Sequence, residues 1–490
     1  MRISFRFDGP AWAEPRTRWT ISTIAPLLDA PWGLDPPDHT PRADQPVVWI
    51  GQQAPAPRDT AAVIAFEGWR EWQAATLERV KFDGVTLAAP AGASKADSPG
   101  HFPSAWLQSL WHVLSRQEER EDARRDQWQC YSGEYTRLGG IGLLETPWVN
   151  LAAEQLRSRI EAWCASRGVS LPRTPRWKNG ARFAVALSHD VDDVRLRSVA
   201  QSLRLLSLSR SPKSYAFRGG LAALSRSLLA SSGSDPYSQF ERWAQQEADR
   251  GFRATWFVFG QTRLAHEYDA PYLLSDRLSF EGRTTSVGQM FGSLGARGFE
   301  IGLHGTYGSW RDAGVLRAER ERVARATGRE VTSTRQHYLR FDIDRTLAAQ
   351  EGAGLTTDAT LGYNEAIGFR AGIAAPFHPW NAGALQAHRL LEVPLTLMDG
   401  ALFRSFQLSP EAAVRRTLEH LESVERVGGL AGLLWHPNAA AERLFPGWWS
   451  CFVAALDHLV ARGAWVANVG EIAEWWRERN RRLELDSATD

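Results

Sequence analysis

Three carboxylates and an imidazole crowd together in Ser188-His189-Asp190-Val191-Asp192-Asp193, directly after the apolar run Phe183 to Leu187. Carboxylates this close repel one another unless a cation lies among them. Strand alternation puts Asp190 and Asp192 on one side if the strand continues that far, so one is placed to bind a metal and the other to act as a base. Helix-capping aspartates in a solvated strand-end loop would use the same residues. Three further histidines follow apolar runs: His304 in Glu300-Ile301-Gly302-Leu303-His304-Gly305, His337 in Thr334-Arg335-Gln336-His337-Tyr338, and His436 in Leu433-Leu434-Trp435-His436-Pro437. A lone histidine in such a place is more often a hydrogen-bonded structural residue than a ligand. Four of the chain's 12 histidines at strand ends, in register with the aspartates, point to convergence at one mouth.

The elements that must bring them together are short apolar runs alternating with helical patterns. Candidate strands are Phe183 to Ser188, Arg253 to Phe259, Phe299 to Leu303, Thr332 to Leu339, Thr356 to Leu361, Leu391 to Leu397, Leu430 to Trp435 and Ala464 to Val469. Helices fit between most of them, the clearest capped by Ser409, with Pro410 in its first turn and Gly428 past its end. This pattern predicts an α/β fold: a distorted (β/α) barrel of seven or eight strands over residues 180–480, whose polar strand ends share one face. Residues 1–175 read as a smaller α/β domain of unknown role, with a strand at Val47-Val48-Trp49-Ile50 and helices near Ala105 to Arg120 and Leu151 to Arg167. A Gly/Ala/Ser/Pro-rich loop lies between Pro90 and Ser104, and Leu171-Pro172-Arg173-Thr174-Pro175 reads as a linker.

Composition narrows the function. With 57 basic against 56 acidic residues in 490, the net charge of +1 gives no bulk attraction to nucleic acid. An aromatic fraction of 11% in a nearly neutral chain excludes disorder. Cys130, Cys164 and Cys451 match no zinc spacing or disulfide framework and suit a reducing compartment. No signal-like start or membrane-spanning run is present, which predicts a cytoplasmic protein with at most peripheral membrane contact.

The order Asp-x-Asp, His, Arg-x-x-Tyr and Leu-x-His on successive strands resembles the polysaccharide deacetylases with the NodB-type homology domain, carbohydrate esterase family four. The resemblance covers about residues 180–475 and includes Arg253-Ala254-Thr255-Trp256-Phe257-Val258. It implies a distorted (β/α) barrel that removes acetyl groups from a polysaccharide with one divalent metal ion, usually zinc. It further implies Asp190 as catalytic base, Asp192 and His304 as metal ligands, and Arg335 as the group that orients the base. Tyr338 would turn its backbone N–H to the oxyanion, and His436 would protonate the leaving amine. The family's second metal-binding histidine falls at Gly308, which has no side chain to offer, and the proline of the third motif is His337. A branch that accompanies bacterial exopolysaccharide synthesis is closer, sharing Asp358-Ala359-Thr360-Leu361-Gly362-Tyr363, Gly368-Phe369-Arg370-Ala371-Gly372 and, in the preceding domain, Ser115-Arg116-Gln117-Glu118-Glu119.

His337 is the candidate for the ligand that Gly308 cannot supply, since alternation places it on the face of Arg335; Ser309 or a water competes for that vacancy. The partner implied is an acetylated polysaccharide or oligosaccharide, with Trp380 and Tyr363 as candidate surfaces for its sugar rings, although Trp380 would equally cover the barrel. A catalytically inactive relative that binds such a glycan within a biosynthetic assembly, or another amide hydrolase on the same barrel, uses the same residues. Asp399 either buttresses the site or caps a turn, and His189 and His378 are weaker ligand candidates. The segment 195–234 carries six Arg and one Lys with no acid, which reads as helices packed on the barrel or as a basic face for anionic lipid.

Overall fold

The computed structural model describes residues 1–38, 45–52, 60–69, 77–82, 85–90, 101–196, 221 and 235–485. Most of the Gly/Ala/Ser/Pro-rich loop, and all but residues 195, 196 and 221 of the basic segment 195–234, lie outside the described residues. Among the described residues no helix is long and apolar enough to cross a membrane.

Among the described residues, nine parallel strands build the larger sheet. Eight run in the spatial order Leu391–Glu392, Thr357–Asp358, Ser333–Gln336, Glu300–Gly305, Thr255–Phe259, Ala184–Asp190, Leu430–Leu434 and Leu397–Met398. The ninth, Trp465–Ala467, pairs with the first half of Ala184–Asp190. The run expected as one strand from Leu391 to Leu397 is therefore two pieces on opposite edges. Pro394 explains the split, because it has no N–H to give a ladder. On either side of it Val393 N–H donates to the Asp358 carbonyl at 2.8 Å and Thr396 N–H to the Gly432 carbonyl at 2.9 Å. The crossing segment thus ties one sheet edge to the other, and the fold is a distorted (β/α) barrel. Its outer helices include Pro410–Arg426, where the Ser409 hydroxyl accepts from Ala412 N–H and Gly428 follows with φ 58°, as the sequence predicts.

The described N-terminal residues form a separate sheet of five strands in the order Trp32–Asp35, Ile3–Phe7, Val47–Gly51, Ala62–Ala65 and His101–Phe102. Its strands are parallel, as a βα alternation requires. The helix expected near 105–120 breaks into Ser104–Leu114 and Gln117–Glu121, because Arg116 adopts a left-handed conformation at φ 57°. Its side chain is completely buried against the barrel, with Nε on Glu119 and an NH2 group on Glu118, both at 2.7 Å.

One apolar cluster among the described residues runs from Ile3, Phe5 and Trp106 through Trp148 to Ile373, Phe377 and Trp476, so the N-terminal sheet packs directly on the barrel. The seam explains the Gly368–Gly372 motif. Phe369 N–H donates to the Leu144 carbonyl and Val149 N–H to the Gly372 carbonyl, at 2.8 and 3.0 Å. A Cβ on Gly372 would fall 2.7 Å from Trp148 Nε1 in a backbone of φ 65°, so only glycine permits this approach. Between the glycines, Arg370 forms a paired contact with Glu119 at 2.8 and 2.6 Å. The two motifs at 115–119 and 368–372 are halves of one buried joint.

Candidate metal centre and active site

Each polar residue of the barrel mouth is delivered by the C-terminal end of a strand. Ala184–Asp190 is buried throughout and ends in Asp190, with Asp192 two residues beyond. His304 lies near the end of Glu300–Gly305, paired in register with Arg335 on Ser333–Gln336. His337 opens the turn after that strand, and His436 follows Leu430–Leu434, where Pro437 stops the ladder. One cleft collects Asp190, Asp192, His304, His337, Tyr338 and His436.

The distances within it suit a metal ion. The Nε2 atoms of His304 and His337 each stand 3.4 Å from Asp192 Oδ1. Two ligands about 2.1 Å from one tetrahedral ion lie roughly 3.4 Å apart, so the spacing fits. The three ligand atoms lie within 4.8 Å of one another. Asp192 Oδ1 and His304 Nε2 are buried and have no hydrogen-bond partner among the described residues. The other His304 nitrogen, Nδ1, faces the Arg335 carbonyl at 2.8 Å and must carry a proton to donate there. A neutral His304 then aims its Nε2 lone pair at a carboxylate oxygen, a repulsion that a cation between them removes. Without a metal the same demand falls on a proton: burial opposes charge on His304, but Asp190 and Asp192 outweigh it and raise its pKa. Burial pushes His337 down to about 3 against the attraction of Asp192, so this ring is neutral and its nitrogens are available as ligands. Asp192 is held well below the usual carboxylate range; burial opposes this, and the three imidazoles around it, His337, His304 and His436, favour its charged form.

Two further assemblies flank these ligands. Asp190 Oδ1 accepts from Arg335 at 2.8 Å while Asp190 Oδ2 lies 3.6 Å from His304 Nε2. Arg335 is buried, donates also to Ser188 Oγ and the Ala359 carbonyl, and lies 4.6 Å under the Phe257 ring, so its charge is paired on every side. On the opposite flank, His436 Nδ1 donates to Asp399 Oδ1 at 2.7 Å, and its Nε2 lies 3.6 Å from Asp192 Oδ2. Burial opposes charge on this imidazole, yet Asp399, with help from Asp192, lifts its pKa to about 9.

Several solved structures are similar to part of the chain. A protein described as a polysaccharide deacetylase from Mycobacterium smegmatis is 20% identical, with 62% of this chain and 93% of that one covered at a TM-score of 0.41. The Puue allantoinase is 14% identical, covering 63% of this chain and 94% of its own at 0.43. A CE4 family pseudoenzyme from Bacillus anthracis is 12% identical, covering 59% and 64% at 0.28. The sequence matches no protein-family model and no curated protein.

Several candidates sit elsewhere. Trp380 is buried against Trp19 of the N-terminal unit at 5.5 Å, and Tyr363 is buried with its hydroxyl 3.4 Å from an Arg116 NH2 group. Neither lines the cleft, because the N-terminal unit covers both; as they stand they offer no surface to a sugar. Ser309 is buried with its hydroxyl on the Thr306 carbonyl, and a Cβ on Gly308 would meet no described atom within 4 Å, so neither reaches the ligand set. His189 points away from the mouth into Glu247, Trp243 and Trp256, and His378 binds the Leu390 carbonyl outside the cleft. Asp399, left open between two roles by the sequence, buttresses His436. The cleft also receives Asn364, Glu365, Met398, Arg404 and Trp128, which the sequence does not single out. Met398 and Arg404 lie beside the strand end at Asp399, a position that could have marked them, whereas nothing local marks Trp128.

Proposed function

We propose that this chain is a metal-dependent deacetylase that hydrolyses acetyl groups from a bacterial polysaccharide or its precursor, with one divalent ion held by Asp192, His304 and His337. The observation that carries the reading is the flanking of one three-ligand cluster by an arginine-held carboxylate and an aspartate-held imidazole. Two imidazoles and a carboxylate favour zinc. Such an ion supplies Lewis acidity toward an acetyl carbonyl and makes a water acidic enough to ionise near neutral pH. Asp190, kept in place by Arg335, takes the proton from the attacking water through its free Oδ2. His436, kept protonated by Asp399, delivers a proton to the departing amine or alkoxide. Tyr338, with φ 57°, sits beside these groups, and its backbone N–H is the oxyanion donor the family resemblance implies.

The resemblance of the motifs at 115–119 and 368–372 to the exopolysaccharide-associated branch supports a role in exopolysaccharide synthesis, and three free buried cysteines suit the cytoplasm. The rival reading, a catalytically inactive relative that binds an acetylated glycan, drew on a missing third ligand, and His337 beside Asp192 speaks against it. Metal analysis of the purified protein, followed by acetate release on acetylated polysaccharide, tests the proposal. About one zinc per chain with turnover is the expected result; stoichiometric zinc without release of acetate from any glycan would favour the rival.

A further inference from the structure

The N-terminal unit reaches into the cleft. Trp128 is half-buried and lines the same cavity as Asp190, Asp192, His304, His337 and His436, with its ring stacked on Tyr338 at 5.6 Å and 15°. We propose that residues 126–136 form a wall of the substrate site, with Trp128 as the aromatic surface on which a pyranose ring of the glycan lies.

The wall is a built feature. Asp126 Oδ1 accepts the backbone N–H groups of Trp128 and Cys130, both at 2.8 Å, which folds the loop so that the indole projects. The Trp128 carbonyl accepts from the Tyr307 hydroxyl at 3.3 Å. Farther along, Ser132 Oγ and Gly133 N–H both donate to Glu365 Oε1 at 2.5 Å, and Glu365 is itself a cleft residue. The loop also grips the catalytic turn from outside the barrel. Cys130 Sγ–H donates to the Tyr338 carbonyl at 3.1 Å, and Asn364 Nδ2 donates to the same oxygen at 2.7 Å. Tyr338 and Leu339 have φ of 57° and 52°, which side chains other than glycine adopt only where surroundings enforce them. The loop supplies part of that enforcement, and the buried joint of Arg116, Glu119 and Arg370 fixes its base.

The chemistry of the wall selects a carbohydrate. An indole face takes the C–H face of a pyranose, while Glu365 and Arg404, which line the same cleft, offer an acceptor and donors for hydroxyl and amide groups. An apolar ligand would cover the Glu365 carboxylate and the Arg404 guanidinium without offering either a polar contact.

The inference rests on the deacetylase reading, and the experiment separates the two. Full-length wild type, Trp128→Ala and Trp128→Phe are compared for zinc content, melting temperature, calorimetric binding of N-acetylglucosamine oligosaccharides, and acetate release from them. Trp128→Ala is expected to weaken binding about tenfold or more and raise KM, at wild-type zinc content and melting temperature, while Trp128→Phe keeps most of the affinity. If wild type binds these glycans but releases no acetate, the deacetylase reading falls while the loss in Trp128→Ala still supports the wall. Equal affinity in wild type and Trp128→Ala overturns it, as does failure of zinc-loaded wild type to bind any of the oligosaccharides.

Discussion

Asp399 accepts two hydrogen bonds from His436, one from ring Nδ1–H at 2.7 Å and one from the backbone N–H at 2.8 Å. The carboxylate is fully buried, so it fixes both the tautomer and the direction of the ring and leaves Nε2 toward the cleft. Asp399→Ala is accordingly expected to lower acetate release about 10- to 100-fold with zinc content unchanged. Turnover measured beside metal analysis checks this, and wild-type turnover would take His436 out of proton delivery.

The ligand and base roles separate by metal content. His337→Ala, His304→Ala and Asp192→Ala should each lose zinc and the activity with it, whereas Asp190→Asn should keep zinc and lose turnover. Zinc at a hundred times its dissociation constant stabilises a folded protein by about 2.7 kcal/mol, so thermal shift reads the same series without an activity assay. A full zinc-dependent shift in His337→Ala would show that the ion is held by other groups.

The barrel and its polar mouth were legible because both are local in sequence: an apolar run, then a polar residue where the strand stops. His337 was reachable by alternation from Arg335, although the strand ends at Gln336 and the ring enters from a turn. The split at Pro394 was written in the sequence but hidden by the apolar residues around it. Trp380 and Tyr363 misled because an aromatic residue beside a barrel looks the same whether a glycan or another part of the chain covers it. Trp128 meets Tyr338 across about two hundred residues, and no periodicity carries such information.

Glu119 lies between two buried arginines, accepting from Arg116 Nε at 2.7 Å and from Arg370 at 2.8 and 2.6 Å. Burial opposes its charge, but Arg370 and Arg116 hold its pKa down to about 2. Glu119→Ala leaves Arg370 buried without a carboxylate partner and is expected to destabilise the fold by about 3–5 kcal/mol. Urea unfolding measures the loss, and a change below about 1 kcal/mol would mean that the joint does not hold the two sheets together.

His112 and His420 set an acid limit on stability. The Arg137 guanidinium can only donate, so its contact of 3.0 Å with His112 Nε2 requires an unprotonated nitrogen. His420 is buried with Nε2 at 2.8 Å from Thr396 Oγ1 and its ring stacked on Phe369. Burial first, and then Arg137 or Arg416 respectively, pushes each down to about 3. Unfolded histidine titrates near about 6.5. Above that pH both states are neutral and the contribution is fully present; below it the unfolded chain takes up protons that the native rings refuse, and stability falls toward pH 3. For one such ring the loss between pH 7 and pH 5 is about 2 kcal/mol. His420→Gln should therefore be less stable than wild type at pH 7 but lose about 2 kcal/mol less on acidification to pH 5, read by urea unfolding at both values. An equal loss in wild type and variant would show that His420 accepts a proton in the folded protein.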